Sequence, residues 1–458
     1  VVASKKGDTT MTQKTSGADP RVAPGGVHEA LGRYILADGF ECTLDLEKSH
    51  GSILHDSRTG SDFLDFFTCF ASSPLGFNHP ALMDEAYLRH LAVVAAHNPS
   101  NSDLYTVEFA DFVTTFAELA APPEMKRFFF IAGGALAVEN ALKAAFDWKI
   151  RLNKKKGLDG ELGTRVIHFR EAFHGRSGYT LSLTNTLPVK TDLYPKFDWP
   201  RVTNPKIVFP LEGQNLSRVE ELEKRALAEI REVIESSGDD VAALIIEPIQ
   251  GEGGDNHFRG EFLRELRKIT EENDILYILD EVQTGLGMTG EMWAFQHFGF
   301  TPDLIAFGKK TQVCGVMASA RLDEPEGVFR VSGRINSTWG GNLVDMVRAR
   351  RILEVIAEER LVENAADRGR ELVDGLVALQ ERYPEWVSNA RGRGLFCAFD
   401  LPRGEDRDRL RKLLYENRFL ALPCGTRTLR FRPALNVGSE EIARALEILE
   451  RTLPRLAD

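Results

Sequence analysis

Positive charge is in deficit in this 458-residue sequence, where 57 lysines and arginines face 68 aspartates and glutamates for a formal net charge of −11. A nucleic-acid-binding chain would carry a basic face, so that class is disfavoured. Anionic small molecules are still admissible, but local arginines must capture them. Long hydrophobic runs are also missing. The apolar stretches 91–96 and 242–246 fall far short of the ~20 residues that span a bilayer. Cysteine is scarce: Cys42, Cys69, Cys314, Cys397 and Cys424 are odd in number, widely spaced and without a C-x-x-C pair. That excludes a disulfide framework or zinc ribbon and suits the reduced thiols of a cytoplasmic protein. Ten histidines include no H-E-x-x-H pair, so no metal site is expected. No G-x-G-x-x-G follows an early strand, which disfavours a dinucleotide-dependent dehydrogenase.

What is present is an ordinary globular composition, 43% apolar and 27% charged, too apolar for a disordered chain and long enough for two or three domains. Residues 1–26 are polar and rich in Gly, Pro, Ser and Thr. They lack the apolar centre of a secretory signal and are expected to be a flexible segment, partly extraneous to the native chain, with Met11 as an internal start. Residues 45–68 read as strand, turn, strand. Beyond residue 83, apolar runs alternate with helical periodicity: 125–134, 165–173, 206–211, 241–250, 275–281 and 303–310 are expected as strands, and 137–152, 217–237 and 260–274 as helices. Strands apolar on both faces and joined by helices predict an α/β fold with a mainly parallel sheet covered on two sides. The tail, from a helix over 344–361 through strands at 393–401 and 427–435 to a last helix at 439–452, predicts a smaller α+β unit. The expected division is 27–85 and 344–458 for the small domain and 86–343 for the large one.

Ligands of open α/β sheets lie at the carboxyl ends of the strands. The polar residues there are Gly133-Gly134, Phe173 to Arg176, Glu247 to Glu252, Asp280-Glu281 and Lys309-Lys310. The stretch 275–310 is the most informative: an apolar strand delivers Asp280, a Gly-rich loop follows, and a second strand delivers Lys309. A carboxylate can hold a ring nitrogen protonated, and a desolvated lysine is both a nucleophile and a proton carrier. Taken singly, each would be a solvated strand end.

This arrangement resembles the class III aminotransferases, pyridoxal-phosphate (PLP) enzymes of fold type I with an aspartate-aminotransferase-like architecture, and the resemblance covers about residues 27–455. It implies that Asp280 pairs with the ring nitrogen and that Lys309, with Lys310 as runner-up, binds the cofactor through its amine. It also implies that Gly134 and Ala135 open a phosphate-binding helix, that Phe173 and His174 lie against the ring, and that Gln283 bonds the ring hydroxyl. The segment 336–342, with Asn336 and Thr338, matches the family stretch whose threonine reaches the phosphate of the neighbouring subunit. A homodimer with shared active sites follows from the resemblance. Arg430, with Arg432 as competitor, matches the arginine that grips the α-carboxylate of 2-oxoglutarate, Glu252 matches the glutamate that masks it, and Arg176 would hold the other carboxylate. The usual family pattern Gly-Ser-Glu/Asp-Ala is replaced here by Gly134-Ala135-Leu136-Ala137. This departure, with the runs 133–149, 174–186 and 307–317, resembles the branch whose amino donor is the terminal amine of L-lysine. Donors such as 4-aminobutyrate and ornithine are the alternatives. A non-catalytic descendant of the fold would have lost Lys309 or Asp280; both are present.

Overall fold

The computed structural model describes residues 22–158 and 160–457. Most of the segment expected to be flexible, Met11 included, therefore lies outside the described residues.

The central sheet has seven strands in the order Met125–Ile131, Cys314–Ser319, Leu304–Phe307, Leu276–Asp280, Val241–Ile246, Arg165–Phe169 and Arg201–Val202. Only Cys314–Ser319 runs against the others, antiparallel to both neighbours. Alternate residues of the inner strands divide between two cores, as the two-residue period of a strand requires. Ala243, Ile245, Leu276, Ile278, Leu304 and Ala306 pack under Val138, Leu142, Ala145 and Trp148 of the helix Gly134–Lys155. Leu244, Ile246, Tyr277, Leu279, Ile305 and Phe307 meet Phe262, Leu263, Leu266 and Ile269 of the helix Gly260–Glu272. Each buried Val, Leu, Ile or Phe among these contributes roughly 1.5–3 kcal/mol, so the sheet is a rigid platform for whatever its strand ends carry.

Among the described residues three smaller sheets accompany the central sheet, the least of them the short pair Ile249–Gln250 and Asn256–His257. Ile53–Asp56 and Ser61–Asp65 form the expected hairpin, and Phe419–Leu420 from the far end of the chain pairs with it in parallel. Ser388–Arg393, Phe396–Asp400, Thr428–Phe431 and Leu422–Cys424 make an antiparallel sheet, packed against the helix Leu361–Arg382.

Two expectations need correction. Residues 206–211 are not a strand; Pro205 and Pro210 remove two ladder donors, and the edge of the sheet is Arg201–Val202 instead. The sequence pattern assigns nothing to 362–392, yet a 22-residue helix occupies most of it. Its Gly369 and Gly375 lower helix propensity, but both are packing sites. A Cβ at Gly369 would lie 2.2 Å from the Gly394 backbone, and one at Gly375 2.2 Å from Leu446.

Candidate active site

The carboxyl ends of the parallel strands open into one cavity of about 670 Å³. Its wall includes Gly133, Gly134, Ala135, Phe173, His174, Arg176, Glu247, Glu252, Asp280, Gln283 and Lys309. Residues from five separate loops thus converge because the strands that carry them are neighbours.

Asp280 ends its strand and is only 6% exposed. Its Oδ2 lies 2.8 Å from His174 Nδ1, and its Oδ1 accepts from the Val282 N–H at 3.1 Å. Lys309 faces the cavity with a left-handed backbone, φ 51°. Among the described residues its amine has no ion-pair or hydrogen-bond partner within reach. Burial lowers its pKa, opposed by Asp280 and Glu247 and assisted by Arg430; the result favours the neutral, nucleophilic amine. Lys310 points elsewhere. It is buried, donates to the Gln283 carbonyl at 2.6 Å, and does not reach the cavity wall.

Opposite the lysine, Gly134 begins a 22-residue helix behind Gly133, whose φ is 98°. The first-turn N–H groups and the positive helix end make a seat for a phosphate. A Cβ at Gly134 would lie 2.8 Å from Val282, and one at Gly175, 2.6 Å from the Ala135 Cβ, so the loop can lie against the helix start only without side chains there. Phe173 N donates to Glu247 Oε1 at 2.9 Å, fixing the aromatic ring at the wall. Gln283 Oε1 accepts from Arg432 at 3.1 Å, which leaves its amide nitrogen as a donor.

The two arginines of the C-terminal strand region have opposite fates. Arg432 is fully buried, paired with Asp255 at 2.6 Å and stacked 3.3 Å from the centre of the Phe396 ring. Arg430, also buried, reaches toward the cavity but is covered by Glu252, whose Oε2 lies 2.7 Å from its guanidinium. Arg176 is exposed at the cavity rim and, among the described residues, has no acidic partner. Glu139 accepts from Ser177 Oγ at 2.9 Å and Tyr179 N at 2.8 Å, bracing the loop that carries it. Asn336 and Thr338, both exposed, are not at this cavity. Asn336 lines a different cleft beside Asn101 and Ser102. Asn101 holds the Trp339 and Gly341 carbonyls at 2.8 and 3.0 Å. A single chain therefore does not bring this pair to Lys309.

Three features were not anticipated in role. Glu247 is buried beside Asp280, and burial pushes its carboxyl up to about 7; its position after a wholly apolar strand is the signal available in sequence. Lys190 is bonded to Glu252 and lies 5.4 Å from the centre of the Phe173 ring; nothing in 186–192 marks it. Thr68 to Ala71 form a left-handed turn with φ of 40–64°, capped by Asp65 through Phe67 N and Thr68 N at 2.8 and 2.9 Å. Such strain is retained where surrounding contacts over-determine it, and Cys69 and Ser72 from this turn line the cavity.

The residues fit pyridoxal phosphate: a cavity-facing amine of lowered pKa, a carboxylate braced by an imidazole, an aromatic wall and a helix start bare of side chains. Fold and site together define a PLP-dependent enzyme of fold type I. Residues 36–453 match the family described as aminotransferase class-III, and the chain belongs to that family. It is 51% identical to the L-lysine-epsilon aminotransferase of Streptomyces clavuligerus, over 94% of this chain and 95% of that one. It is 52% identical to the protein of the same name from Mycobacterium tuberculosis, over 94% and 96%. A solved lysine aminotransferase from M. tuberculosis superposes with a TM-score of 0.93 at 52% identity, covering 95% of this chain and all of that one. The human mitochondrial 4-aminobutyrate aminotransferase is 34% identical over 87% and 82%.

Proposed function

We propose that this aminotransferase moves the ε-amino group of L-lysine to 2-oxoglutarate, giving 2-aminoadipate 6-semialdehyde and glutamate. The observation that carries this reading is the identity of just over half to lysine ε-aminotransferases across nearly the whole of both chains. The two guanidiniums support it: one open at the rim, the other covered by a carboxylate. The carboxylate of lysine binds Arg176, which directs the chain's far amine inward while Glu252 keeps Arg430 neutralised. When the dicarboxylate acceptor enters, Arg176 takes its distal carboxylate and Arg430, freed of Glu252, takes the other. PLP, when bound, would supply the electron sink for C–H cleavage, and Asp280, fixed by its 2.8 Å contact with His174, would be the carboxylate that pairs with the ring nitrogen. Lys309, whose amine faces the cavity with a lowered pKa, would be the residue that takes up and returns the proton. The semialdehyde product holds amine and aldehyde five bonds apart and closes to 1-piperideine-6-carboxylate.

The reading extends to a cytoplasmic homodimer in which Asn336 and Thr338 serve the neighbouring copy's cavity, and to a large domain over 86–343 with a small one from 27–85 and 344–458. Among the described residues no helix is long and apolar enough to cross a membrane. A donor panel with 2-oxoglutarate, assayed for glutamate and the cyclic imine, tests the function. Lysine should be the best donor, and higher kcat/KM for ornithine or 4-aminobutyrate would overturn the assignment. Sedimentation that found only monomer would remove the shared site.

A further inference from the structure

We propose that Lys190 is the positioning residue that makes the Glu252 gate reversible: it holds the carboxylate when Arg430 is given up to a dicarboxylate acceptor. Glu252 is shared between two cations on different elements. Its Oε2 meets Arg430, 2.7 Å away on the strand Thr428–Phe431, and its Oε1 meets the Lys190 amine at the end of the short turn Pro188–Lys190. Burial raises the Glu252 carboxyl, but Arg430 and Lys190 together more than offset this and keep it ionised. Lys190 is one-fifth exposed and lies over the Phe173 ring at 5.4 Å, so its amine contacts two residues of the cavity wall, the gate carboxylate and the aromatic platform.

The charge balance gives the reason for a second cation. With the gate closed, Glu252 satisfies Arg430 and Lys190 leaves a net charge of plus one. When an acceptor carboxylate takes Arg430, the displaced Glu252 would stand as an unpaired, partly buried anion beside an incoming anion, an arrangement that costs far more than a solvated one. Retaining Lys190 turns the open state into two neutral pairs, carboxylate with Arg430 and Glu252 with Lys190. Rotation of Glu252 about its own side-chain bonds, with Lys190 as pivot, opens the gate without stranding a charge. A donor with a single carboxylate on Arg176 does not need this step. Lys190 is therefore specific to the half-reaction with a dicarboxylate.

The inference rests on the gate reading above, and its test separates the two. Two unreactive probes are titrated into the holoenzyme by calorimetry: glutarate, with carboxylates at both ends, and pentanoate, with one. The wild type should prefer glutarate, and in Lys190→Met that preference should shrink about tenfold, the loss of one charge-assisted contact. Lys190→Arg should restore it. In turnover, Lys190→Met should raise the KM for 2-oxoglutarate while the ratio of kcat values for 2-oxoglutarate and a monocarboxylate aldehyde acceptor stays within a factor of two. A wild type with no preference for glutarate would overturn the gate reading itself. A wild-type preference that Lys190→Met leaves intact, or that Lys190→Arg fails to recover, would overturn the role of Lys190 alone.

Discussion

The wall of the cavity and the core just beneath it are built from the same residue types, often one or two positions apart. Lys309 belongs to the wall and Arg430 meets it through Glu252, whereas Lys310 and Arg432 belong to the core. Lys310 donates to a backbone carbonyl and Arg432 is sealed between Asp255 and Phe396. Their partners are part of the fold and cannot leave. Among the described residues Lys309 has no fixed partner, and the partner of Arg430 is Glu252, a side chain that faces the cavity and has a second cation bonded to it. A charged group is available for chemistry when its counter-charge can be exchanged, and is structural when it cannot.

The contrast is testable by exchanging the two sides. Lys309→Ala should reduce transamination by roughly 10³-fold, the scale of a lost proton carrier and nucleophile, with little change in melting temperature. Lys310→Met should instead retain the visible absorbance of bound cofactor and lose ~1–3 kcal/mol of stability, because the Gln283 carbonyl is left without its donor. Equal activity losses in the two variants would erase the distinction. Asp255→Asn should unfold most readily, losing about 3–5 kcal/mol by leaving Arg432 buried and unpaired, as read by denaturant titration. Arg430→Gln should cost less stability but weaken 2-oxoglutarate by about tenfold to a hundredfold in kcat/KM.

Smaller in effect is the pH response of two buried glutamates. Burial pushes both Glu247 and Glu281 up to about 7, so each favours folding most when protonated. That contribution is full below the ordinary glutamate pKa of ~4.3 and is lost as pH rises through about 7. Each accounts for at most about 4 kcal/mol. Glu281 caps Ala294 N and Phe295 N at 3.0 and 2.9 Å, away from the cavity. Glu281→Gln should therefore flatten the decline of melting temperature above pH 6 and leave the pH profile of kcat in place. Glu247→Gln, beside Asp280, should change both. A profile of kcat that moved with Glu281 would place that residue on the wall rather than in the core.

Much of the site is legible in the sequence. Asp280, Lys309, Gly134 and Phe173 stand at the ends of apolar strands, and a parallel sheet must bring such ends together. The helix Leu361–Arg382 is not legible there, because its glycines serve contacts with Gly394 and Leu446 that are distant or out of register along the chain. Nor is the edge strand, which two prolines move from 206–211 to 201–202. Asn336 and Thr338 carry a motif but lie outside this chain's own cavity, a placement that the motif alone does not express.

By itself the sequence determined the alternation of strands and helices, the residue types at the strand ends and the family to which the chain belongs, since hydrophobic period and strand-end chemistry are local properties. Only the tertiary structure decided which of two adjacent lysines meets the cavity, which of two nearby arginines is covered by a carboxylate of the cavity wall, and that Lys190 shares that carboxylate. Those outcomes depend on burial and on partners 27 to 178 residues away, and the distance between charges in a folded chain has no expression in their spacing along it.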